Sequence, residues 1–358
     1  MKLPDYLAVN ATILLSLCIS LCGVGSCPYT HVGAFGDVIG TSSSVSKGGV
    51  LETVVIYPQK TEGLAEAIAR KGFLIRYPNA VGTVLICHGF MCNKHDVAIL
   101  RKIFKPGFYN VMTFDFRAHG QNTQGQCCTF GKDEALDVAC AAKFLRLHPQ
   151  LKNKPVFAYG FSMGASAAIQ AQANDTGLFD GMILDCPFDC TENVIKKGLE
   201  QVTVNFFGYE FALPGQHILR QYAFHPQVQS IVTKILKSAN KIRSEDITIR
   251  AHSINPALSA KNITVPCFFI HCKNDEKIEV QQVKDIYNNV NAYKRLWITD
   301  GRSHFDSFFY NPEHYTQQVR TFLDVIVSKK FTLYAQENSI DDSTQGFQKS
   351  FFTLKTTN

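Results

Sequence analysis

The stretch "PVFAYGFSMGASAAIQAQA", residues 155–173, decides how this chain folds. "PVFAYG" is a short apolar run of the kind that makes a buried strand, and "SMGASAAIQAQA" is rich in small helix-forming residues. Between them, Gly160-Phe161-Ser162-Met163-Gly164 spells G-x-S-x-G at a strand-to-helix junction. A serine there stands exposed on a sharp turn, with a helix N-terminus beneath it to favour negative charge. Gly160 and Gly164 remove the Cβ atoms that would collide with neighbouring backbone. Ser162 is therefore the candidate nucleophile.

The same alternation runs outward in both directions. Short apolar runs at 50–57, 73–77, 83–88, 110–116, 155–160, 181–186, 266–272 and 294–299 read as buried parallel strands, with a helical stretch around Gly63 to Arg70. Between Gly131 and Leu147, Ala135, Val138, Ala139, Ala142 and Leu145 recur at helical spacing. Strands alternating with helices imply an α/β fold with a mainly parallel central sheet. Residues 189–262 break the pattern and read as an inserted helical cap. There Val228, Ile231, Val232, Ile235, Ala239 and Ile242 form an apolar face, and Lys234, Lys237 and Lys241 a basic one. The basic face is either simply solvated or, more sharply, suited to an anionic membrane surface.

A serine needs a base, and the base an orienting carboxylate. His304 follows the last strand run, on a loop at the carboxyl edge of the sheet where open α/β proteins place their sites. Asp275 follows "PCFFIHCKND" and gives the chain order Ser, Asp, His. Asp185, near the end of the preceding strand, is its rival. Asp300 and Asp306 stand too close to His304 in sequence. Two backbone N–H groups must hold an oxyanion, those of Met163 and Phe90. Gly89 permits the turn before Phe90, and His88 braces it.

"LICHGFMCNK", "FDFRAHGQN", "YGFSMGA", "PCFFIHCKND" and "GRSHFDSFF", in this order and spacing, resemble the α/β-hydrolase superfamily, in particular its Bem46-like and serine-aminopeptidase-like (hydrolase-4) branches. The resemblance spans about residues 50–328. It implies an esterase, thioesterase, lipase or peptidase activity that uses no cofactor. Two departures stand out: Cys272 occupies a position commonly glycine, and "EKIEV" replaces the Val-Pro often found after the acid.

The 358-residue chain carries a net charge of +6 without a dense basic block, which sets nucleic acid aside as a partner. Residues 1–26 form an apolar leader ending in small residues, read as a lipoprotein or secretory signal, a membrane anchor, or a buried helix. "VGSC" marks Cys27 as a lipidation site. Residues 27–49 read as a linker, 50–330 as the α/β-hydrolase domain, and 331–358 as a flexible polar tail. Exported or membrane-associated placement and an acyl-ester or lipid substrate follow from the leader. Of the 12 cysteines, most sit in apolar runs as free thiols. Cys127 or Cys128 and the Cys186/Cys190 pair are the disulfide candidates. No C-x-x-C pairing suggests zinc.

Overall fold

The computed structural model describes residues 48–58, 68–121, 126–200, 202–206, 209–239 and 247–328. The leader, Cys27, most of the linker and the polar tail lie outside these residues. So does most of the helical stretch expected before Arg70; Arg70 itself opens a strand.

Apolar residues placed on both faces of each central strand give a sheet that is buried on both sides. Its strands are β1 (Val50–Ile56), β2 (Arg70–Arg76), β3 (Gly82–Cys87), β4 (Tyr109–Phe114), β5 (Val156–Phe161), β6 (Gly181–Asp185), β9 (Cys267–Cys272) and β10 (Lys294–Thr299), in the order β1-β2-β4-β3-β5-β6-β9-β10. A separate short hairpin, β7 (Thr203–Phe206) and β8 (Tyr209–Ala212), lies in the insertion after β6. From β4 to β10 all pairings are parallel, whereas β1 and β2 run antiparallel to their neighbours. The expectation that the two N-terminal runs are buried parallel strands is thus corrected. β1 is an edge strand with Val50, Leu51 and Val55 exposed.

Alternation along β5 sends Val156 and Ala158 to one face and Phe157 and Tyr159 to the other. The first face packs on α1 (Glu134–Leu147), α2 (Met163–Asn174) and α7 (Val280–Asn289), through Val138, Ala142, Ala168 and Val283. The second packs on α9 (Pro312–Val327), through Tyr315, Val319 and Phe322, and on a 3-10 turn over Asp96–Ile103. Sandwiching the sheet in this way excludes water from both faces. β3 lies between β4 and β5, so the chain switches direction across the sheet there. The carboxyl ends of β3 and β5 are therefore the place where open α/β sheets bind ligands.

The remaining helices are α3 (Thr191–Glu200), α4 (Gln216–Gln221), α5 (Pro226–Ala239), α6 (Pro256–Ser259) and α8 (Ser307–Tyr310). The insertion after β6 has its own small core of Ile195, Leu199, Leu213, Leu219, Val232 and Ile235, against which Val228 and Ile231 also pack. Val228, Ile231, Val232 and Ile235 of the apolar face read from the sequence thus pack within the insertion, whereas Ile242 and Lys241 lie outside the described residues. The lysines of α5 divide: Lys234 is exposed, while the Lys237 ammonium donates to the Ile247 carbonyl oxygen. Among the described residues no helix is long and apolar enough to cross a membrane.

Candidate active site

β5 ends at Phe161 and α2 begins at Met163, leaving Ser162 on the turn at φ 52°, ψ −125°. A non-glycine residue at positive φ is strained, and here the strain points the side chain out of the turn. A Cβ on Gly160 would come 2.7 Å from the Ala165 Cα, and one on Gly164 would come 2.2 Å from the Cys87 carbonyl oxygen. Both glycines are required for α2 to start tight against the ends of β5 and β3. The Ser162 N–H donates to the Asp185 carbonyl oxygen at 2.9 Å, which ties the turn to the neighbouring strand.

The loop after β10 brings His304 to this serine. His304 Nε2 lies 2.9 Å from Ser162 Oγ, and its Nδ1 lies 2.7 Å from Asp275 Oδ2. The other carboxylate oxygen of Asp275 accepts from the backbone N–H groups of Lys277 and Ile278 at 2.9 and 3.0 Å. Burial alone would raise the Asp275 carboxyl. The hydrogen bond and charge of His304 and the Ile278 N–H outweigh it and hold the group below its ordinary value. An ionised Asp275 accepts a hydrogen bond from Nδ1–H, leaving Nε2 with a lone pair toward the serine. The loop itself is held by Arg302, whose side chain bonds Asp306, and by Phe305, which stacks on Phe161 at 3.8 Å.

The loop after β3 supplies Phe90. Its brace is His88, whose Nε2 accepts from the Phe116 N–H at 3.0 Å, so that Nδ1 carries the proton and donates to the Gly89 carbonyl at 2.8 Å. Burial and the nearby His119 push His88 well below the ordinary histidine range, which keeps it neutral. Farther along, Lys94 forms a buried ion pair with Asp115 at 2.5 Å. The backbone N–H groups of Phe90 and Met163 have no acceptor among the described residues. The Phe90 ring packs on Phe130, itself in contact with the core of the insertion, at 4.9 Å.

Ser162, His304 and Asp275 are thus brought together. Asp185 is not part of that chain. Its buried carboxylate accepts from Tyr315 Oη at 2.8 Å, and Tyr315 in turn meets Tyr159 at 2.9 Å. The expected disulfide candidates Cys127, Cys128, Cys186 and Cys190 are free thiols. Cys128 and Cys186 are buried, and Cys186 Sγ faces His304 Nε2 at 3.9 Å. One donor atom each from Cys186, Asp275 and His304 falls within 4.8 Å of the others, a set able to ligate a metal. Cys272, at the position commonly glycine, leaves the turn intact: it fills space beside Gly301 and bonds Ser307 at 3.0 Å. Of the aromatic residues in the insertion, Tyr209, Phe211 and Tyr222 are exposed, and Phe224 packs on the insertion core.

Sequence reasoning missed Cys186 and His271. His271 Nδ1 lies 4.0 Å from Asp275 Oδ2, and its Nε2 bonds the Ile278 carbonyl. The parallel register holds the signal that would have found the first. Phe161 pairs with Asp185, so Ser162 and Cys186 are the next residues of adjacent strands. Both have positive φ, 52° and 43°.

A family of hydrolases described as "Serine aminopeptidase, S33" matches residues 78–208. An uncharacterised protein of Bacillus subtilis (strain 168), YqkD, is 27% identical over 258 residues, covering 71% of this chain and 75% of that protein. The Pyrococcus furiosus esterase Pf2001 superposes with a TM-score of 0.56 at 23% identity, over 77% of this chain and 92% of that one. An acylaminoacyl peptidase of Pyrococcus horikoshii gives 0.50 at 14% identity, over 78% of this chain and 41% of that one. The fold is that of the α/β-hydrolases, and the resemblance to the hydrolase-4 branch is borne out. These matches support an α/β serine hydrolase.

Proposed function

We propose that the protein cleaves a carboxylic ester or thioester through Ser162, His304 and Asp275, by way of an acyl-enzyme. The observation that carries this reading is the unbroken hydrogen-bonded chain from Ser162 Oγ through His304 to Asp275. His304 Nε2 takes the serine proton as Oγ attacks the carbonyl carbon. The N–H groups of Met163 and Phe90 receive the oxyanion. His304 then returns the proton to the leaving group, and a water activated by the same nitrogen releases the acyl group. No step in this sequence calls for a cofactor. Phe161 and Phe305, the chain neighbours of Ser162 and His304, stack on each other, and Phe90 packs on Phe130, which favours an apolar acyl or aryl group. The apolar leader supports export or attachment at a membrane through Cys27, which suits an acyl-ester or lipid substrate. A peptidase reaction on the same residues is the second reading, favoured by the description of the matching family.

Fluorophosphonate labelling, followed by rates on p-nitrophenyl acyl esters and aminoacyl-naphthylamides, tests both. Labelling lost in Ser162→Ala and faster ester turnover are expected. Faster amide turnover selects the peptidase, and a folded protein that neither labels nor hydrolyses overturns the proposal.

A further inference from the structure

We propose that Cys186 and His304 form an inhibitory site for a soft divalent metal ion, zinc above all, which blocks the catalytic base. The proposal rests on the assigned roles of Ser162 and His304 only for its inhibitory effect; the binding itself needs only the side-chain geometry.

The first observation is distance. Zinc holds a thiolate sulfur at ~2.3 Å and an imidazole nitrogen at ~2.05 Å, which in a tetrahedral site puts the two donor atoms about 3.6 Å apart. Cys186 Sγ and His304 Nε2 stand 3.9 Å apart, so a shift of a few tenths of an ångström suffices. The second observation is orientation. A metal-binding histidine donates its other ring N–H to a carboxylate, which fixes the ring and raises its basicity. Asp275 already plays that part at Nδ1, 2.7 Å away, and is itself held by two backbone N–H groups. The nitrogen left facing Cys186 is the one a metal needs. Ser162 Oγ, 2.9 Å from the same nitrogen, or water completes the coordination.

The placement of Cys186 is fixed by the fold. Its N–H donates to the Ile270 carbonyl at 2.9 Å, and its backbone adopts φ 43° at the end of β6. The side chain therefore stands beside the serine turn of the adjacent strand instead of continuing along the sheet. Binding replaces the thiol proton with the metal and releases that proton to solvent; no redox step is involved. With the Nε2 lone pair engaged, His304 cannot accept the Ser162 proton, and acylation stops.

The experiment uses the full chain as wild type, Cys186→Ala and Cys186→Ser. Zinc chloride is titrated against p-nitrophenyl ester hydrolysis, each protein being compared with its own metal-free rate, and the metal is then removed with a chelator. Wild type should be inhibited reversibly, and Cys186→Ala should need at least ~10-fold more zinc, the scale on which losing a metal contact registers. A second readout is independent of hydrolysis. Cobalt(II) is added to Ser162→Ala with and without Cys186→Ala, and a thiolate charge-transfer band should appear only where Cys186 remains. The band in Ser162→Ala, together with no esterase activity in metal-free wild type, supports the site while sinking the hydrolytic reading. Equal inhibition of all three proteins, or superposable cobalt spectra, overturns the metal site.

Discussion

Replacing Asp185 with asparagine should change the pH dependence of stability more than stability itself. The Asp185 side chain is fully buried between β6 and α9. Burial raises its carboxyl to about 7; the Tyr315 hydrogen bond opposes the rise, and the nearby charge of Asp275 adds to it. The ionisable groups facing it are Tyr315, Tyr159, Asp275, Cys186 and Cys272. Between its ordinary value of 3.8 and about 7, the folded chain holds a proton that the unfolded chain has released. Stability therefore falls as pH rises through that window, by ~1.4 kcal/mol per pH unit and ~4 kcal/mol altogether. Asparagine keeps an oxygen to accept from Tyr315 and cannot ionise. Its stability relative to wild type should climb by ~4 kcal/mol between pH 4 and pH 8 and stay level above that. Urea unfolding followed by circular dichroism at four or five pH values measures this directly. Two stability curves that run parallel, separated by a constant, would refute the reasoning.

Asp275→Asn should fold normally yet lose about 10⁴-fold in kcat, because an amide that donates to Nδ1 turns the His304 lone pair away from Ser162. Steady-state ester kinetics beside an unchanged melting curve checks it. Glu134→Gln should destabilise by roughly 2–4 kcal/mol, since the buried carboxylate serves the Thr129 N–H, Thr129 Oγ1 and the Gly131 N–H together. Thermal unfolding reads that loss. A raised KM for bulky acyl esters should accompany it, because this turn presents Phe130 to Phe90.

What could be read in the sequence is what local pattern encodes. The strand and helix on either side of Ser162 and the chain order of Asp275 and His304 needed only apolar runs, glycines and succession along the chain. The hairpin Thr203–Ala212 was read as part of a helical cap because strands this short carry too few residues for alternation to register. Antiparallel pairing of β1 was equally silent, since apolar composition does not state direction. The surroundings of Asp185 depend on Tyr315, 130 residues away, and those of Cys186 on His304, 118 residues away. Such contacts are set by the sheet's pairing order, which no window of sequence contains. Once that order is known, much of the site follows from it. Parallel β5 and β6 end in register, so their next residues, Ser162 and Cys186, leave the sheet side by side. β9 and β10 lie on the far side of β6, and the loops that follow them bring Asp275 and His304 to the same end. Any residue at the first position beyond β6 thus stands near His304, the proposed base. A hydrophobic side chain there would only fill space, whereas a thiol adds a donor that competes with the serine for the same nitrogen.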